Sequence, residues 1–161
     1  MIQSDKKEKW TLLALTAVIL WTMFIWGNSM IPGPKSMHAS QQVAASVSPF
    51  LDFLNLTAKQ WNAIVRKAGH MTEFGILGIF WCWFLSLRMT HSWKLPAISL
   101  GICFATGSID ETIQKFTGRT SVFRDVCFDT AGGFLGICLL IGIGAWVVHH
   151  KKKAADQKSG S

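Results

Sequence analysis

Tyrosine is missing from this chain of 161 residues, and charge is scarce: only 16% of residues are Asp, Glu, Lys or Arg, against about 25% in an ordinary soluble domain. That scarcity argues against a water-soluble globule of usual make-up. No nucleotide-binding loop, soluble catalytic segment or pore motif is present, and no internal repeat marks the paired halves of an inverted-repeat carrier. Four cysteines (Cys82, Cys103, Cys127 and Cys138) show no paired spacing. They read as small buried apolar side chains, with a zinc site or a disulfide as the alternative. The length leaves room for one domain.

What is present is mainly apolar. Half the residues are hydrophobic and Trp numbers eight. Residues 10–26, 95–109 and 130–148 carry no charge, and 71–87 carries only Glu73. A membrane span needs about 20 predominantly apolar residues. The expected fold is therefore an all-α integral membrane protein with four transmembrane helices, near 10–27, 67–87, 96–116 and 125–148. The first run is too long and too rich in Trp for a cleaved signal peptide, and reads as a retained span. Trp10, Trp26, Trp93 and Trp146 fall near span ends, where interfacial belts form. One membrane domain then covers 10–148, between a short tail at 1–9 and a basic tail at 149–161. The outer connection, about 28–66, opens with the helix-breaking Pro32-Gly33-Pro34. Phe50, Leu51, Phe53 and Leu54, then Trp61, Ile64 and Val65, recur at three-to-four spacing. That pattern fits one or two short amphipathic helices on the outer surface, or a lid over an external site.

The formal charge of +7 reads as topology, not as nucleic-acid binding. The two tails and the 88–94 connection hold nine Lys and Arg against three acids, and the remainder holds seven against six. By the positive-inside rule both termini are cytoplasmic in a cell-membrane protein.

Polar residues break the apolar pattern at three places. Lys67, His70 and Glu73 open the second span; Asp110, Glu111 and Gln114 close the third; Asp125 and Asp129 open the fourth. Three unpaired carboxylates at mid-bilayer would cost about 8–10 kcal/mol on insertion scales, as much as a whole domain's net stability of about 5–15 kcal/mol. A chain that keeps them pairs them, wets them or uses them. With alternating spans all three clusters fall in the outer leaflet. Spacings of three and four residues keep each cluster on one helix face. Gly132 and Gly136 continue the stripe of Asp125 and Asp129, and a small-xxx-small pair lets span four approach span two or three closely.

The order and spacing of these residues resemble a known family. Lys67-x-x-His70-x-x-Glu73-Phe74-x-x-Leu77 is similar to the first motif of the VanZ-like bacterial membrane proteins. Asp110-Glu111-x-x-Gln114-x-Phe116-x-Gly118-Arg119, followed by Asp125-x-x-x-Asp129-Thr130-x-Gly132, resembles the second. The family usually has Asn where this chain has Asp129. Ser29, Ser36 and Ser40 faintly resemble a serine-bearing segment after the first span. The resemblance implies a place in the cell envelope. Through the family's name-giving member it also implies a link to resistance to the glycopeptide teicoplanin, but no reaction.

The residues themselves allow several chemistries. Lys67, Arg119 and Arg124 suit a phosphate or pyrophosphate head group on a membrane lipid or lipid-linked envelope precursor. His70 is a candidate general acid or base, Glu73, Glu111 and Asp125 are candidate catalytic carboxylates, and Gln114 is able to orient a water or head group. Asp110 and Asp129 join Lys67 and the arginines as candidate binding residues. A metal version uses His70, Glu73, Glu111 and Asp125. A structural version has Lys67, Arg119 and Arg124 neutralise Glu73, Glu111 and Asp125, fastening three helix ends without chemistry. Binding without turnover (of lipid, antibiotic or protein) and a proton relay complete the alternatives.

Overall fold

The computed structural model describes residues 2–89, 93–119 and 123–159. The tight basic turn expected after Arg88 and the outer loop expected after Arg119 include residues 90–92 and 120–122, which lie outside the described residues. The chain is helical in five α segments: α1 (Ile2–Ser29), α2 (Gly33–Val47), α3 (Ala58–Arg88), α4 (Lys94–Phe116) and α5 (Phe123–Ser159). A 3₁₀ segment, Ser48–Leu54, links α2 to α3. No strand occurs among the described residues.

Among the described residues, three helices are long and apolar enough to cross a membrane: α1, α3 and α5. The remaining expected span, α4, has 23 residues. At 1.5 Å each it is about 35 Å long, but Asp110 and Glu111 near its end lower its apolarity. Its first turn carries Pro96, a position where a missing N–H is not missed.

The connection between α1 and α3 is more helical than its sequence suggests. Pro32 and Pro34 end α1, but they also open α2, where a fixed φ suits the first turn. The apolar set at Phe50, Phe53 and Leu54 stays exposed on the 3₁₀ segment. Trp61 instead belongs to an extension of α3, buried together with Ala44 of α2. That extension starts at a capping box. Thr57 N donates to Gln60 Oε1 at 2.8 Å, and Gln60 N donates back to Thr57 Oγ1 at 3.4 Å.

α3 and α5 run parallel and make the most extensive contact in the molecule. Small residues explain it. A Cβ placed on Gly132 or Gly136 would collide with the carbonyl oxygens of Met71 or Gly75, and one on Gly78 would meet the Gly133 carbonyl. α5 thus packs against α3, its backbone almost touching it. α1 and α4 run antiparallel to this pair. Trp10 meets Trp83 with the rings tilted, while Asn28 at the other end of α1 reaches Glu73. Two apolar clusters fill the interior: Ile25, Phe74, Leu77 and Cys103, then Cys82, Leu95 and Ile137. All four cysteines are free. Cys82 and Cys103 are buried as expected, whereas Cys127 and Cys138 are exposed, because α5 turns that face away from its partners. The outward faces of α1 and α5 carry large apolar side chains, including Leu12, Leu20 and Met23, then Phe134, Leu135 and Leu139. Water would not tolerate such surfaces, and hydrocarbon would.

Candidate functional site

The helix directions decide where the polar residues go. The end of α1, the first half of α3, the end of α4 and the start of α5 all lie at one end of the bundle. Lys67, His70 and Glu73 come from α3, Asp110, Glu111 and Gln114 from α4, and Asp125 and Asp129 from α5. Beyond α4 the backbone turns back at Gly118, whose φ of +74° disfavours a side chain. Arg119 N then donates to Gln114 O at 3.0 Å, closing the helix in a Schellman-type cap. That turn sets the Arg119 side chain beside the cluster.

Lys67 Nζ lies 3.0 Å from Asp125 Oδ1 and 4.0 Å from the centre of the Phe128 ring, so the ammonium has both an ionic and an aromatic partner. His70 Nδ1 is 3.8 Å from Glu73 Oε2 and 3.9 Å from Asp129 Oδ1, close but beyond hydrogen-bond length. Glu73 Oε1 accepts from Asn28 Nδ2 at 2.9 Å, and the Glu73 carbonyl accepts from Trp21 Nε1 at 2.8 Å. Gln114 Nε2 donates to Asp110 Oδ2 at 2.7 Å and, more weakly, to Ser29 Oγ at 3.4 Å. Thr117 Oγ1 donates to the Ser29 carbonyl at 3.1 Å. Asp110, Glu111, Gln114, Asp129 and Ser29 are all buried. Burial pulls the Arg119 guanidinium below the usual arginine range and Arg66 adds to that, while Asp110, Glu111 and Glu73 pull it back up.

Nine of the ten candidate residues share this neighbourhood. The exception is Arg124, which is exposed and makes no ion pair among the described residues. Of the expected neutralising contacts, Lys67 with Asp125 is formed. The metal-ligand set also changes. The sequence pointed to His70, Glu73, Glu111 and Asp125. The structure instead gathers His70, Asp110 and Asp129, each offering one ligand atom, all within 4.8 Å of one another. Asp125 is engaged by Lys67, and Asp110 comes inward because its helix face meets both α3 and α5. Sequence reasoning missed Asn28, Trp21 and Arg66. Asn28 stood in plain view as the first polar side chain after an uncharged run, and it is the one that holds Glu73.

Two cavities meet at His70. A small one of about 10 Å³ is lined by Arg66, Lys67, His70, Glu111, Gln114, Asp125, Phe128 and Asp129, about the room one water needs. The other is an open groove of about 340 Å³ between the end of α1, α2 and α3. Lys35, Arg66 and Arg119 stand on its walls with Ile31, Val43 and Val65, and His70 and Glu73 lie at its inner side. Its size falls within the usual range for ligand clefts, about 300–1,000 Å³.

No curated protein and no solved structure matches the chain. A family model does: VanZ/LLP1 matches residues 14–146, which take in α2, α3 and α4 whole, α1 and α5 in part, and every polar residue of the site described above. The chain belongs to the VanZ/LLP1 family.

Proposed function

We propose that this chain is a four-span membrane protein of the cell envelope, both termini cytoplasmic, whose polar site lies in the outer leaflet and binds a phosphate-bearing lipid head group. The observation that carries the reading is the groove beside His70. Three cations, Lys35, Arg66 and Arg119, share it with aliphatic side chains and open it toward the α1–α2 side. Arginine forks match phosphate oxygens two at a time, and the apolar wall suits the first carbons of a lipid chain. α4 serves as the fourth span because its charged end turns into the bundle, out of reach of lipid. α2 lies along the outer surface and roofs the groove. His70 and Glu73, at the inner side of the groove, are placed to move a proton on a bound head group, and a lipid-linked envelope precursor is the substrate class that fits. Resistance to teicoplanin would be a consequence of altering such a precursor.

The test uses purified chain in nanodiscs titrated with polyprenyl phosphate. Saturable binding is expected, weakened about tenfold or more by Arg119→Ala, the loss of one charged anchor being worth roughly 1.5–3 kcal/mol. Equal affinity in the two proteins refutes the head-group reading. Turnover of polyprenyl pyrophosphate that disappears in His70→Ala would assign chemistry to the site.

A second reading rests on a different observation. Gln114 and Thr117 tie α4 to Ser29 at the end of α1, and Lys67 ties α3 to α5. The network then fastens helix ends and does nothing more. In that case Gln114→Leu loses stability while lipid binding in the folded fraction is unchanged.

A further inference from the structure

The trio at the heart of the polar end, His70, Asp110 and Asp129, sets two buried carboxylates beside one imidazole. Asp110 is 0% exposed and Asp129 is 1% exposed. Asp110 Oδ2 is held by Gln114, but Oδ1 has no hydrogen-bond partner, and Asp129 Oδ2 has none. His70 Nδ1 is also without a hydrogen bond. Buried polar atoms are rarely left so, and buried carboxylates this near one another need a cation or a proton between them.

We propose that His70, Asp110 and Asp129 bind one divalent transition-metal ion, Zn²⁺ or Mn²⁺. One imidazole nitrogen with two carboxylate oxygens is a donor set for these ions, whereas Ca²⁺ wants six to eight oxygens. Donors about 2.1 Å from a tetrahedral zinc sit about 3.4 Å apart. His70 Nδ1 and Asp129 Oδ1, at 3.9 Å, need to close by only about half an ångström. Gln114 steadies Asp110 from behind, as an outer-shell partner does. The adjoining cavity of about 10 Å³ has space for a water as fourth ligand. A 2+ charge balances the two carboxylates that would hold it. Asp129 is decisive, because an amide there would leave one carboxylate too few.

The inference stands without any lipid substrate, so its failure is separable from that of the head-group reading. The full chain, purified in detergent and stripped with a chelator, is loaded with Zn²⁺ or Mn²⁺ and its metal content measured. His149 and His150 sit exposed at the opposite end of the molecule, so the His149→Ala/His150→Ala protein serves as the background. One equivalent should remain bound there, and Asp129→Asn should weaken it tenfold or more. X-ray absorption on the zinc-loaded background protein should show a single imidazole among oxygen ligands, a readout that needs no folded site variant. Two or more imidazoles, affinity unchanged by Asp129→Asn, or no metal retained at micromolar concentrations would each overturn the proposal. The last result, with Asp129→Asn raising thermal stability, would mean that the carboxylates share a proton instead.

Discussion

Lys67 and Asp125 form the ion pair that the sequence could only offer among alternatives. Their side chains are 30% and 23% exposed, so neither is fully solvated and each depends on the other. Truncating one leaves a partly buried charge behind, which costs more than the pair itself contributes. Lys67→Met and Asp125→Asn should each destabilise the protein, and the double variant should lose less than their sum. A coupling of about 1 kcal/mol is expected, measured by unfolding in mixed micelles. Strict additivity would show that the contact contributes nothing. Asn28 acts differently: its amide is the partner of one Glu73 oxygen. Asn28→Leu therefore removes a hydrogen bond to an ionisable group, at a cost of about 1.5–3 kcal/mol, while Asn28→Asp places a second carboxylate against Glu73 and should be worse. Thermal unfolding that ranks Asp above Leu at this position would contradict the assigned contact.

At the scale of elements, convergence of the polar clusters was legible because two simple rules suffice. Apolar runs mark the long helices and their alternating direction, and spacings of three and four residues fix the faces. Asp110, Gln114 and Asp129 followed from that arithmetic and lie together. What escaped was set by contacts between elements. Whether Asp110 or Glu111 meets His70 depends on the rotation of α4, which hydropathy does not report. α2 was hidden for another reason. Its residues are polar and small, so no apolar stripe marks it, and Pro32-Gly33-Pro34 reads as a break although it also starts a helix. The early start of α3 at Ala58 was available from Thr57 and Gln60, a capping pair three residues apart. Thr57→Ala should cost about 1 kcal/mol, fraying the turn that carries Trp61. The glycine seam is the more severe test. Gly136→Leu would drive a side chain into the backbone of α3 at Gly75. The parallel pair has to separate, so loss well beyond the usual overpacking cost of about 1–3 kcal/mol is expected. Gly142→Leu on the same helix, where a Cβ meets nothing within 4 Å, should be tolerated. Equal stability of the two variants in detergent would mean that α3 and α5 do not touch as described.

For the whole molecule, the charge distribution and the bundle's two ends make one statement together. Lys7, Glu8 and Arg88 line a common surface depression at the end opposite His70, and Trp93, His149 and Lys152 line another there. The start of α1, the end of α3, the start of α4 and the end of α5 therefore share a basic end, and the three polar clusters share the other. On the proposed topology the basic end is cytoplasmic, following the positive-inside rule, and the groove with its candidate residues faces outward. Ser36 lines that groove and Lys152 lies at the far end. In a background with all four native cysteines replaced, Ser36→Cys should react with a membrane-impermeant maleimide in intact bacterial cells, and Lys152→Cys only after permeabilisation. The reverse pattern would place the groove in the cytoplasm. The site would then face soluble phosphates and cytoplasmic lipid head groups, and an outer-leaflet precursor would be out of reach. Labelling of both positions in intact cells would break the alternation of spans itself. It would remove α4 as a crossing, because three crossings put the ends of α1 and α5 on the same side.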